Sequence, residues 1–369
     1  MTAAAPKAEA LVLEGPRRLR ARELPLPNVG DGDGILRVEA CGLCGTDHEQ
    51  YSGALPGPFP FVPGHEVVGR LEAIGDGAAG RWGVTEGQRV AVEVFRSCAR
   101  CRPCLEGAYR HCREHGLSDM YGGVSLERAP GLWGGYATHQ YLAPGSLLHP
   151  VPEGLEPEVA SLFNPLGAGI RWAVTVPGTG PGDVVAVLGP GIRGLCAAAA
   201  ATEAGAGFVM VTGRGSRDAG RLAIAPRFGA TLTVDVDEAD PVAALKKATG
   251  GLADVVVDVT AKAPEALGQA VALARPGGTV VVAGTRGSAD TPGFRPDLLV
   301  YKELRLLGAL GVDAPAYRAA LDLLAGGRYP FAELPRRTEG LAGLEGLLQT
   351  MAGDGAGPPP VHGVLVPGR

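Results

Sequence analysis

Val184-Val185-Ala186-Val187-Leu188-Gly189-Pro190-Gly191-Ile192-Arg193-Gly194 is an unbroken apolar run followed at once by glycines in G-x-G-x-x-G spacing. Such a run is typical of a strand buried on both faces of a parallel sheet. The alanine-rich residues up to 204 read as a helix, and 208–212 as a second strand. A bare glycine match is weak evidence. Between a strand and a helix it has a mechanism: glycine permits the tight turn and lets backbone amides reach a pyrophosphate. Gly189, Pro190, Gly191, Ile192, Arg193 and Gly194 are therefore candidate dinucleotide-binding residues.

The alternation continues downstream. Strand-like runs at 231–236, 254–259, 279–283 and 304–310 enclose helix-like segments at 241–249 and 264–275. Six parallel strands with crossover helices make a doubly wound Rossmann sheet. In such a sheet an acid at the tip of the second strand holds the adenosine ribose hydroxyls of NAD. The chain has Thr212-Gly213-Arg214-Gly215-Ser216-Arg217 there, with no acid before Asp218. Gly213 gives room, while Arg214, Ser216 and Arg217 offer two forked cations and a hydroxyl suited to a 2′-phosphate. NADP(H) is favoured over NAD(H). The competing reading is a solvent-facing loop with Asp218 in the ribose role.

Upstream the pattern is different. Residues 10–13, 35–40, 66–74 and 89–94 are short strand-like runs separated by Pro- and Gly-rich loops, which reads as an antiparallel, partly open barrel. Within it stands Cys41-Gly42-Leu43-Cys44-Gly45-Thr46-Asp47-His48-Glu49, followed by Gly64-His65-Glu66-Val67-Val68-Gly69. Cys44, His65 and Glu66 combine a thiolate, an imidazole and a carboxylate, a mixture that zinc accepts with one position left for water or substrate. Thr46 sets a hydroxyl near the thiolate, and Asp47 can fix the tautomer of His65. Taken singly these residues are more often a buried Cys and a surface His-Glu pair.

Cys98, Cys101, Cys104 and Cys112 follow in C-x2-C-x2-C-x7-C spacing. Four thiolates on one short loop can close a tetrahedral shell, the description of a structural zinc. An iron–sulfur cluster is the competitor, weakened by the lack of a Pro after the last Cys.

Length and composition bound the rest. A chain of 369 residues with 46% apolar residues suggests two domains. A net charge of −5 with no basic run argues against nucleic acid as a partner. Residues 1–10 have no signal-peptide core, and the most apolar run, 195–201, is too short to span a membrane. A cytoplasmic protein is expected, and seven cysteines there point to metal or chemistry before disulfides.

With these motifs in this order, the chain resembles the medium-chain, zinc-dependent alcohol dehydrogenase family along essentially its whole length. Cys44-Gly45-Thr46-Asp47, Gly64-His65-Glu66 with Gly69 and Gly75, the four-cysteine lobe and the glycine turn carry the resemblance. It is closest to the polyol, threonine and glucose dehydrogenase branches. The resemblance implies a GroES-like catalytic domain over 1–165 and 311–369, and a dinucleotide domain over 166–310. It implies two zinc ions: a catalytic one on Cys44 and His65, with Glu66 a ligand in some states, and a structural one on the cysteine lobe. Thr46 would hydrogen-bond the substrate oxygen. Val259, Thr260, Gly284, Thr285 and Leu310 would lie near the nicotinamide, with Gly311 leaving a roomy pocket. Relatives pair through the last strand of the dinucleotide domain, so a homodimer or homotetramer is expected.

Two positions depart from the family pattern. Asn164, in Phe163-Asn164-Pro165-Leu166-Gly167, stands where a Cys or Glu zinc ligand is usual. Either Glu66 coordinates in its place or zinc is held weakly. Glu49 stands where a relay histidine is common. The leading expectation is hydride transfer between an alcohol, aldehyde or ketone and NADP(H), with zinc polarising the oxygen. A zinc-poor reductase of quinone or enone C=C bonds and a non-enzymatic nucleotide-binding protein are the alternatives.

Overall fold

The computed structural model describes residues 6–287, 289–354 and 359–369. The first five residues of the N-terminal segment considered above lie outside them. The chain divides into two compact units. One comprises 1–164, 313–326 and 331–369, the other 165–312 and 327–330.

The first unit is mostly β. Strands β1 (Lys7–Leu13) and β2 (Leu19–Pro25) form an antiparallel pair. A larger sheet takes β3 (Gly34–Gly42), β4 (Glu66–Ile74), β5 (Arg89–Val92), β6 (His139–Leu142) and β7 (Leu148–Pro150). Bridges from Ala10 to Ala137 and from Leu13 to Phe61 tie β1 to the rest, giving a partly open barrel. Its core gathers Val12, Leu13, Leu36, Phe61, Val67, Leu71 and Tyr136. Gly69 lies opposite Val38, where a Cβ would come within 2.2 Å of the Arg37 carbonyl oxygen. Only glycine permits the two strands to approach so closely there.

The second unit is the parallel sheet. Its strands are β8 (Val184–Leu188), β9 (Phe208–Gly213), β10 (Leu232–Asp235), β11 (Ala253–Asp258), β12 (Ala274–Val282) and β13 (Arg305–Gly308). They stand in the order β10-β9-β8-β11-β12-β13, the doubly wound arrangement whose order reverses beside β8. The helix Ile192–Glu203 packs through alanines, with 195–201 all buried. Strand β13 is shorter than the 304–310 expected. The N–H of Leu304 goes to Leu299 and the carbonyl of Leu310 accepts from Arg171, so neither joins the ladder.

The chain re-enters the first unit late. Strands β14 (Arg336–Glu339) and β15 (His362–Leu365) pair in parallel, and Val364 and Leu365 of β15 pair with Gly42 and Cys41 of β3. The division differs from the 165/166 and 310/311 boundaries read from the sequence. Asp313 caps the helix Ala314–Ala325 through the Ala316 N–H, and Tyr317 of that helix packs on Phe163 and His149. Residues 327–330 go with the second unit because Arg328 and Tyr329 bond Glu203. No helix among the described residues is long and apolar enough to cross a membrane.

Candidate functional site

The register of β3 and β4 builds the first cluster. Gly42 lies opposite Glu66 and Cys41 opposite Val67, so Cys44, just past β3, meets His65, just before β4. The thiol of Cys44, a ring nitrogen of His65 and a carboxylate oxygen of Glu66 all lie within 4.8 Å of one another. Zinc bonds of about 2.0–2.3 Å fit three such donors with little movement. The donors also balance chemically, since a thiolate and a buried carboxylate need a cation nearby. Gly42 makes the room: a Cβ there would lie 2.5 Å from the Glu66 carboxylate.

Asp47 does two jobs in the first turn of the helix Gly45–Ser52. One oxygen accepts the Cys44 N–H at 2.8 Å, and the other lies 3.4 Å from His65 Nδ1. That leaves Nε2 of His65 for a metal. Burial alone would lower the pKa of His65, but Asp47 and Cys44 outweigh it and hold it well above the usual value. Thr46 Oγ1 stands 3.6 Å from Cys44 Sγ. The neighbouring Cys41 is fully buried, and burial raises its thiol far above ordinary, so it stays protonated filler.

The remaining expected residues fall around this cluster. Asn164 is buried at the second position of the helix Phe163–Ile170, and its amide donates to the Tyr317 hydroxyl at 3.2 Å. Glu49 is half-buried, and its carbonyl accepts from Leu55 N–H and Ser52 Oγ. His48 lies 3.5 Å from Asp354. Sequence reasoning did not find Tyr317, whose contacts come from a helix about 150 residues later.

Cys98, Cys101, Cys104 and Cys112 also lie within 4.8 Å of one another. Short turns and backbone N–H groups organise them: Cys101 N–H points at Cys98 Sγ at 3.4 Å. Burial would raise Cys112, but N–H groups of His115 and Glu114 win and bring it down to about 6. Arg100 clasps Glu114 with two bonds across the loop, and Val94, Phe95 and Tyr109 form a small apolar base. His115 bonds Asp119 at 2.8 Å, outside the thiol cluster.

In the second unit Gly189 takes φ +100°, and Gly191 caps the helix Ile192–Glu203. A Cβ on Gly194 would stand 1.8 Å from the Gly189 carbonyl oxygen, so the turn closes only with glycine. Gly213 likewise leaves space for Pro190. Arg193 stacks on the Trp172 ring at 5.1 Å. Past β11, Thr260 bonds Asp258 through its N–H and hydroxyl, and Val259 N–H bonds Leu188. Arg286 reaches the carboxylate of Asp258 and the carbonyl of Gly284, while the Thr285 carbonyl accepts from Lys262. Gly311 takes a φ of +62°, which favours glycine, and its carbonyl accepts the Trp172 indole N–H.

Arg214 and Ser216, two of the donors expected for a 2′-phosphate, already have a partner. Both are bonded to Asp237, an acid that follows β10 and not β9. Arg217 is exposed with no side-chain bond among the described residues.

Comparison with known proteins gives a consistent result. The model for the alcohol dehydrogenase GroES-like domain matches residues 30–153, and that for zinc-binding dehydrogenase matches 194–326. "Probable alcohol dehydrogenase adh" of Mycobacterium tuberculosis (strain ATCC 25618 / H37Rv) is 69% identical, covering 97% of this chain and 98% of that one. Sorbitol dehydrogenase of Bacillus subtilis (strain 168) is 30% identical over 86% of each. A solved Sinorhizobium meliloti 1021 structure bound to NADP is 28% identical with a TM-score of 0.84, covering 98% of this chain and all of that one.

Proposed function

The chain belongs to the medium-chain, zinc-dependent alcohol dehydrogenase family, and from that premise we propose that it transfers a hydride between a small alcohol, aldehyde or ketone and NADP(H). The observation that carries this reading is the donor set of Cys44, His65 and Glu66 with the Thr46 hydroxyl beside it. When bound, zinc supplies Lewis acidity to the substrate oxygen, and the nicotinamide supplies or accepts the hydride.

The chain's own residues do the rest. Cys44, Nε2 of His65 and the Glu66 carboxylate hold the metal. Glu66, whose carboxylate lies with the donors of Cys44 and His65, takes the place that an acid or thiol at position 164 would fill. Asp47 keeps the His65 ring oriented. Thr46 Oγ1 holds the proton of the substrate oxygen and passes it on, with Glu49 on the same helix as the next carrier. The cysteine lobe takes a second zinc with a structural role.

In the dinucleotide unit, the turn from Gly189 to Gly194 receives the pyrophosphate, and Arg214, Ser216 and Arg217 favour NADP(H). Val259, Thr260, Gly284, Thr285 and Leu310 border the nicotinamide. Exposed Leu306 on the edge strand β13, with Val300 and Tyr301 nearby in sequence, supports assembly as a homodimer or homotetramer.

Following nicotinamide absorbance with a panel of alcohols, aldehydes and ketones tests the reading, alongside zinc analysis of protein purified without chelator. Two zinc ions per chain and turnover on at least one carbonyl are expected. A single zinc with activity only on enones would overturn it.

A further inference from the structure

Asp235 at the end of β10 and Asp237 just past it serve neither the metal cluster nor the glycine turn, yet they bond the loop expected to hold an adenosine 2′-phosphate. Arg214 Nε donates to Asp237 Oδ1 at 2.9 Å. Ser216 donates to Asp237 Oδ2 from its hydroxyl at 2.7 Å and its N–H at 3.3 Å. Asp235 secures the arrangement by accepting the N–H groups of Gly215 at 2.7 Å and Asp237 at 2.9 Å. A Cβ on Gly215 would lie 1.7 Å from Asp235, so the loop closes this tightly only with glycine.

Sheet pairing produces this neighbourhood. Asp235 stands opposite Gly213 in the parallel β9–β10 register, so the segments leaving the two strands emerge side by side. Bonds from Ser216, then the Arg214 charge, hold the Asp237 carboxyl below its ordinary range. It is an anion at neutral pH.

A carboxylate bonded to the Arg214 Nε–H and the Ser216 hydroxyl takes two of the donors that a phosphate would use. The two anions cannot share those donors without repulsion. A ribose 2′-hydroxyl is different, because it can donate to Asp237. From this geometry we infer that Asp237 sets the balance between NADP(H) and NAD(H), competing with the 2′-phosphate for Arg214 and Ser216 while accepting a plain ribose. The inference rests on the dinucleotide reading proposed for this unit, and it deepens that reading.

Equilibrium binding of NADPH and NADH to the full-length protein, followed by nicotinamide fluorescence, tests it without requiring turnover. Asp237→Asn and Asp237→Ala should each tighten NADPH binding on the order of tenfold, with NADH unchanged or weaker. Arg214→Ala should cost more NADPH affinity in the Asp237→Asn background than in the wild type, which a purely structural loop acid would not produce. If both dinucleotides bind and the NADPH/NADH affinity ratio stays put in both Asp237 variants, the inference is overturned and the dinucleotide reading survives. If the wild-type protein binds neither, both fall together.

Discussion

The four-cysteine lobe and the Cys44–His65–Glu66 cluster lie in the same unit and are assembled by opposite means. The lobe draws all its donors from residues 98–112, organised by turns and backbone N–H groups. Its four equivalent thiols can enclose an ion completely. The mixed cluster draws its donors from two strand ends, and it exists only because β3 and β4 pair in one register. It has three different donors and a hydroxyl at its edge. Closure by four like ligands suits structure, and an incomplete mixed shell suits chemistry.

Cys44→Ser attacks the open cluster directly. Turnover should fall by about 10³-fold or more, dinucleotide affinity should not change, and metal analysis should show one zinc lost. A variant that keeps both its activity and its second zinc would erase the distinction between the clusters. Cys101→Ser attacks the closed one. It should cost on the order of 3 kcal/mol, a fall in melting temperature of roughly 5–10 °C read by calorimetry. An unshifted melting curve would mean that the lobe is not a staple.

The smaller predictions sharpen the contrast. Gly42→Ala puts a methyl group against the Glu66 carboxylate, so zinc affinity at the open cluster should drop about 10- to 100-fold in chelator competition, with the lobe unaffected. Asp47→Asn should weaken the same site by about tenfold through the loosened His65 ring. Equal effects of Asp47→Asn on both zinc ions would show that the clusters are not independent.

How much was legible in the sequence follows the same division. The glycine turn and the cysteine spacing were readable because each acts within a few consecutive residues. The helix Gly45–Ser52 was not, since its buried side chains are Asp47, Gln50 and Tyr51, which show no apolar periodicity. The bond from the Asn164 amide nitrogen to Tyr317 could not be read either, because Tyr317 comes from a segment that returns to the first unit late in the chain. Asp237 was visible as a letter but not as a neighbour of Arg214. Attention to the tip of the second strand cannot see an acid delivered by the third, because pairing and not chain distance joins them.

The contrast in assembly also bears on when each ion can be captured during synthesis. A segment ending at residue 112 carries every thiol of the lobe, so it can load as soon as that stretch leaves the ribosome. The hairpin holding Cys44 and His65 has emerged even earlier, but its donors meet only once β3 and β4 have paired, and β3 also pairs with β15 from far downstream. Zinc would therefore enter the lobe from one short stretch of chain and the reactive centre only once the sheet around β3 has formed. A synthetic peptide of residues 96–116 that failed to bind zinc would contradict this sequence of events.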